Sequence, residues 1–193
     1  LRQTGSRVAV RGEGIYVWDT EGKRIIDGLS GLGCVNIGYG RRELVNAAAE
    51  QMLELSYCQS FFKTTHRSAV RLAETLTGML PGHLNHVFFQ SSGSEANETG
   101  TRVARRYWDL MGKPEKRIFI ARELAYHGSS HMAASLSGIW PMHRAGGDLP
   151  LSNVTHIKTA YQYRNGFGMD PDAFGVLAAS WLEDKILEIG ADN

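Results

Sequence analysis

Apolar and polar positions along this chain change their period twice. Up to residue 28 the apolar positions come in short β-rich runs. Val8–Arg11 and Ile15–Trp18 read as strands, Glu21-Gly22-Lys23 as a turn and Arg24–Ile26 as a third strand, so residues 1–28 predict a small antiparallel unit. From residue 41 the apolar spacing becomes three and four. Leu44, Ala48, Met52 and Leu55 fall on one face of a helix over 41–55. Ala69, Leu72, Ala73, Leu76 and Leu80 do the same over 68–80, where Pro81-Gly82 ends the helix. Beyond that point strands and helices alternate. Val87–Gln90 reads as a short buried strand, 95–111 as a long helix aligning Val103, Ala104, Tyr107, Trp108 and Met111, and 117–121 as a strand. A shorter helix over 129–137 and a strand over 154–157 follow. The last predicted helix, 171–189, turns Phe174, Leu177, Ala178, Trp181, Leu182 and Ile186 inward. Between the two regimes, residues 28–40 hold five glycines interleaved with apolar residues, a loop too apolar to be merely solvated.

This alternation predicts an α/β fold with a largely parallel sheet, whose ligands bind beyond the carboxyl ends of the strands. Composition narrows the function classes without choosing among them. The 193 residues are 42% hydrophobic and 21% charged with a formal net charge of +1, which gives no electrostatic case for nucleic acid or an anionic membrane. No apolar stretch approaches the roughly 18–20 residues of a membrane span and no signal-peptide pattern opens the chain, so a cytoplasmic location is expected. Cys34 and Cys58 are too few for a disulfide framework and are expected to be free thiols. Gly190 caps the last helix, the chain stops three residues later where another strand is due, and it does not begin with methionine. The expectation is a piece of a longer polypeptide, poorly soluble alone because of an unpaired sheet edge and an exposed apolar face.

Candidate chemistry concentrates at two strand-to-helix junctions. Gln90-Ser-Ser-Gly-Ser-Glu-Ala-Asn97 follows the apolar run His86-Val-Phe-Phe89 and opens a helix. Free N–H groups, the positive end of the helix dipole and serine hydroxyls converge there, which suits a phosphate. Ala125-Tyr126-His127-Gly128 places an aromatic beside a glycine at the end of the next apolar run. A phosphate cradle and a flat aromatic in neighbouring loops suggest a phosphorylated, planar cofactor. Two plainer readings stand beside this one: Ser92 as an N-cap with a capping-box-like Ser-Glu pattern, and Tyr126 as a core aromatic. His127 and His131 are spaced as metal ligands are, but no third ligand is evident, so no metal is expected. Arg102, Arg105 and Arg106 read as a solvated helix face.

Taken together, these residues resemble the class III aminotransferases of the fold-type I pyridoxal-phosphate group, in particular their ω-amino acid:pyruvate and putrescine-type branch. The resemblance runs through Gly14-Ile-Tyr-Val-Trp-Asp19, Ser30-Gly-Leu-Gly-Cys-Val-Asn-Ile-Gly-Tyr-Gly40, Phe61-Phe62, Ser92–Asn97, Tyr126-His-Gly128 and Gly147-Asp148. It implies the N-terminal part of a fold-type I transferase: a small β-rich segment with a pocket loop over 1–60, then the first part of the large cofactor-binding domain over 61–193. It implies pyridoxal 5'-phosphate as cofactor, held through Ser92, Gly93 and Ser94, with Glu95, Asn97 and His127 around it. Tyr126 would stack on the ring and Gly128 would let the chain pass closely. Leu32, Gly33 and Tyr57 would border the substrate pocket, and Phe61 and Phe62 would reach a partner subunit's site in a homodimer or dimer of dimers. Gly33 stands where that branch commonly has tryptophan, which implies a larger pocket. The family's cofactor-bearing lysine belongs to a region beyond residue 193, and none of Lys23, Lys63, Lys113, Lys116, Lys158 and Lys185 fits its place, so no catalytic residue is assigned here. The implied reaction moves an amino group from a primary amine or ω-amino acid to pyruvate or a similar keto acid. A same-fold aminomutase, or an inert chain that only binds a phosphorylated ligand or dimerises, are the alternatives.

Overall fold

The computed structural model describes residues 5–193; the first four positions of the expected N-terminal unit lie outside the described residues. The chain divides into two compact units, one ending at His86 and one spanning Val87–Asn193.

In the first unit, β1 (Ala9–Glu13), β2 (Tyr16–Asp19) and β3 (Arg24–Ile26) form an antiparallel sheet in that order, as their alternating β-rich runs predict. The β1–β2 hairpin turns at Gly14, whose φ of 55° is left-handed and suits a residue without Cβ. The second turn is held by buried Asp19, whose Oδ1 accepts from Glu21 N at 3.1 Å and Lys23 N at 2.9 Å. The glycine-rich stretch is more ordered than a loop: it contains α1, a single turn over Ser30–Gly33 whose backbone is left-handed throughout. Helices α2 (Arg42–Leu55) and α3 (Arg67–Met79) follow within a residue of expectation. Neither buries a residue among those described, and their apolar faces, including Leu44, Met52 and Leu72, are exposed.

The second unit is built on a parallel pair, β4 (Phe119–Arg122) with β5 (Val154–Ile157), in register from Phe119↔Val154 to Arg122↔Ile157. A parallel pair needs a crossover. Here the connection carries α5 (His131–Leu136) and α6 (Trp140–Gly146), after α4 (Gly93–Leu110) has led into β4. The single turn α7 (Gln162–Asn165) and α8 (Pro171–Ile189) complete the unit. Asp170 caps α8, its Oδ1 accepting from Asp172 N at 3.0 Å and Ala173 N at 3.3 Å, with Pro171 in the first helical position. The core is built from α5, the parallel pair and α8, whose buried apolar residues are Met132, Ala133 and Ala134, Ala121, Val154 and Ile157, and Phe174 and Ala178; α5 packs on both strands and α8 on β5. Small side chains on α5 let it sit close to the strand ends, which is where the candidate site must form. The architecture is mixed α/β, with the antiparallel and parallel parts in separate units.

Three expectations are corrected. Val87–Gln90 is neither a strand nor buried; Phe88 is 76% exposed, because no described strand lies beside this segment to pair with it. Of the six α8 residues expected inward, Phe174 and Ala178 are buried and Leu177 and Trp181 half-buried, while Leu182 and Ile186 are exposed because nothing among the described residues covers the face that carries them. Arg105 is not simply solvated: its guanidinium lies 5.3 Å from the Phe119 ring centroid and its Nε is buried. The sequence also left α6 and α7 unassigned, both too short to show a helical period.

Candidate functional site

Ser92 ends the extended approach to α4 with φ −153° and ψ 161°, and Gly93 starts the helix. The Ser92 hydroxyl accepts from Glu95 N at 3.2 Å and lies 3.4 Å from Glu95 Oε2, while Ser92 O accepts from Ala96 N at 3.0 Å. The N-cap reading of Ser92 therefore holds, and it complements the anion reading. With two first-turn amides satisfied by Ser92, the N–H groups of Gly93 and Ser94 remain the orphan donors of an 18-residue helix among the described residues.

The Tyr126–Ser130 loop is locked against this turn. Ser94 Oγ accepts from Ser129 N at 3.0 Å and keeps its own proton to donate. Asn97 Nδ2 donates to His127 O at 2.6 Å. From the other side, fully buried Ser137 accepts from His127 N at 2.8 Å and donates to Ala133 O at 2.9 Å. Glu98 joins α5 to α4 by accepting from Met132 N at 2.9 Å. Gly128 is the point of closest approach: with φ 129°, a Cβ there would lie 2.5 Å from Ser94 Oγ and 2.9 Å from both Ser94 Cα and Ala133 Cβ. No other residue type fits that gap. Above it Tyr126 is 64% exposed, so its ring is free to lie on a planar ligand and is not a core aromatic. The donor set matches a phosphate: two backbone N–H groups, one free hydroxyl proton, a helix N-terminus and a cradle kept open by glycine.

The structure thus brings Ser92, Gly93, Ser94, Glu95, Asn97, Tyr126, His127 and Gly128 into one cluster, with His127 contributing its backbone. The His131 ring lies 3.3 Å from Asp148 Oδ1, and no group of three or more potential ligands for a metal occurs among the described residues. Ser137 and Glu98 escaped the sequence reading. A serine after a helix looks like an ordinary cap, and only the tertiary fold brings it to His127 N.

The first unit holds the residues expected to face substrate. Leu32 is 85% exposed, Tyr57, Phe61 and Phe62 are all strongly exposed, and no heavy atom lies within 4 Å of a Cβ built on Gly33. Beneath Leu32 and Gly33, Asp27 and Tyr39 share a hydrogen bond. It holds the Asp27 carboxyl below its usual range, aided by backbone N–H donors and opposed by partial desolvation, and pushes the Tyr39 phenol up. Among the lysines, Lys116 donates to Ala191 O, Lys185 pairs with Glu188 at 2.6 Å and Lys158 lies 5.7 Å from the Trp181 ring centroid. No helix among the described residues is long and apolar enough to cross a membrane.

Comparison with known proteins gives a consistent answer. Residues 2–178 match the family described as Aminotransferase class-III. The putrescine–pyruvate aminotransferase of Pseudomonas aeruginosa is 47% identical over 193 residues, the whole of this chain and 42% of that protein. Among solved structures, a thermostable (S)-enantioselective omega-transaminase from Thermomicrobium roseum is 41% identical with a TM-score of 0.91, covering 100% of this chain and 42% of that one. The omega transaminase of Pseudomonas jessenii in complex with PMP is 36% identical with a TM-score of 0.91, covering 99% and 42%. The chain spans about two-fifths of the length of the relatives it matches.

Proposed function

The chain belongs to the class-III aminotransferases, and from that premise we propose that it carries the phosphate- and ring-holding part of a pyridoxal 5'-phosphate site in a transaminase. The observation that carries this reading is the interlock of the α4 N-terminus with the Tyr126–Ser130 loop across Gly128. In it, the N–H groups of Gly93 and Ser94 and the Ser94 hydroxyl hold the phosphate. The Tyr126 ring covers one face of the pyridine, Asn97 and Ser137 fix the loop that carries Tyr126, and Glu95 borders the entrance. When bound, the cofactor supplies the electron sink that makes bond cleavage at the amine carbon feasible.

The substrates we propose are a primary amine or ω-amino acid as donor and pyruvate or a similar keto acid as acceptor; the relative from P. aeruginosa is named for putrescine and pyruvate. Leu32, Gly33 and Tyr57 form the donor-facing wall, and the open space at Gly33 admits a bulkier donor than a tryptophan there would. Phe61 and Phe62, exposed and adjacent, serve a homodimer interface next to the partner's site. In domain terms, 1–60 belongs to the small domain and pocket loop, 61–193 to the cofactor domain, and the protein works in the cytoplasm.

The test uses the complete protein carrying this chain, loaded with pyridoxal 5'-phosphate and offered diamines and ω-amino acids with and without pyruvate. Alanine formation that requires both donor and pyruvate supports the transaminase; isomerised donor without any keto acid points to a mutase; no turnover of any donor overturns the reading.

A further inference from the structure

Residues 27–39 form a closed loop whose two ends are both fixed to the antiparallel sheet. Asp27 N donates to Ile15 O at 2.9 Å, extending the β3 edge by one residue. At the other end Tyr39 exchanges backbone hydrogen bonds with Gly14, Tyr39 N to Gly14 O at 2.8 Å and Gly14 N to Tyr39 O at 3.1 Å. The Tyr39 ring lies over Gly12, where a Cβ would meet it at 2.7 Å. Between these anchors the chain does something costly. Ser30, Gly31, Leu32 and Gly33 carry φ of 49°, 57°, 58° and 80°, four successive left-handed residues of which two bear side chains.

Gly33 N donates to Leu29 O at 3.0 Å and Val35 N to Ser30 O at 2.8 Å, and one carboxylate ties the turn to Tyr39. Asp27 Oδ2 accepts from Gly31 N and from the Tyr39 hydroxyl, each at 2.7 Å, while Oδ1 accepts from Leu29 N at 3.2 Å. Tyr39 thereby fixes the orientation of the carboxylate, and the carboxylate fixes the left-handed turn through the Gly31 amide.

We infer that the Asp27–Tyr39 pair is a positioning device that sets where Leu32 and Gly33 stand, and so sets which amine donors the pocket accepts. This inference rests on the transaminase reading. Asp27 and Tyr39 act through the turn and touch neither substrate nor cofactor. The left-handed turn also explains why glycine suits position 33: at φ 80° any side chain is strained, although the space around it is open.

The test compares Asp27→Asn, Tyr39→Phe and the double variant in the complete, cofactor-loaded protein. For each, kcat/KM is measured with a small linear diamine and with a branched, bulky primary amine. Loss of one charge-assisted hydrogen bond should change the bulky-to-small ratio by about tenfold, mainly through KM. The visible absorbance of the bound cofactor should not change, and the double variant should be no worse than the worse single one. Hydrogen exchange at the Gly31 amide reads the clamp independently of turnover and should quicken in Asp27→Asn. Should Asp27→Asn fail to fold, Tyr39→Phe decides alone, since it removes one hydroxyl. A ratio that stays within about twofold of wild type in Tyr39→Phe overturns the inference, and unchanged Gly31 exchange overturns the clamp itself. Wild-type protein that transaminates nothing, with Gly31 exchange still quickened in Asp27→Asn, keeps the clamp and overturns its role in substrate choice along with the functional reading.

Discussion

Two loops, one in each unit, are held in opposite ways. The Tyr126–Ser130 loop is tied by Asn97, Ser94 and Ser137 and pressed against Ser94 across Gly128, with the buried residues of α5 beneath it. The Ser30–Gly33 turn buries no residue of its own and is held by its local backbone bonds and by one half-buried carboxylate with its phenol partner. The first loop tolerates nothing larger than glycine at its centre; the second has open space around Gly33. Under the proposed function, the contrast suits a division of labour in which the cofactor's place is fixed by packing and the substrate's place is set by a few adjustable bonds. A packed cradle answers the loss of one neighbour with lost stability and affinity, whereas a loop held by a few bonds answers by shifting its tip.

Substitutions at the two glycines separate these cases most sharply. Gly128→Ala adds a Cβ into backbone and side chain at under 3 Å, in a left-handed region. It should cost about 3 kcal/mol and abolish retention of pyridoxal 5'-phosphate through gel filtration. Gly33→Ala meets no atom, so its cost is conformational only, about 1 kcal/mol, and confined to the turn. Cofactor retention should survive while donor preference shifts. Equal losses at both positions would erase the distinction.

Ser137→Ala probes the tied loop from below. It leaves His127 N without its acceptor in a buried setting and should lower stability by about 1–2 kcal/mol, read as a fall in thermal midpoint, with weakened cofactor binding. Retention of wild-type affinity would mean that Asn97 and Ser94 suffice to fix the loop.

The smallest effect is a titration. Asp27, held below its ordinary 3.8, contributes stability present above that value and lost as pH falls through the lowered one. Tyr39, raised above its ordinary 10.0, contributes stability present below that value and lost as pH rises through the raised one. The clamp therefore persists across the whole range between the two. Ultraviolet titration of the phenols should show one tyrosine ionising later than the rest, returning to the ordinary range in Asp27→Asn; no late tyrosine would contradict the hydrogen bond.

Much of this arrangement is legible in the sequence, and what is not has a physical reason. β5 and α8 lie where periodicity and the Asp170-Pro171 start place them, because their signals are local. The phosphate cradle is legible for the same reason: a serine-glycine run opening a helix defines its own donors. Ser137 and the Asp27–Tyr39 pair are not, since each depends on a partner ten or twelve residues away that only the folded chain brings near. Val87–Gln90 reads as a strand from its apolar character, but a strand needs a neighbour, and none is provided among the described residues. Left-handed backbone at Ser30 and Leu32 runs against local preference, so only the tertiary anchors at Asp27 and Tyr39 specify it.

The central claim is that the α4 N-terminus and the Gly128 loop hold a phosphate. It is tested most directly by titrating the complete protein, freed of cofactor, with pyridoxal 5'-phosphate and with pyridoxal. A cradle of backbone N–H groups and a serine hydroxyl predicts that the phosphorylated form binds about a hundredfold more tightly or better, with the advantage lost in Gly128→Ala. Equal affinities for the two forms would contradict it.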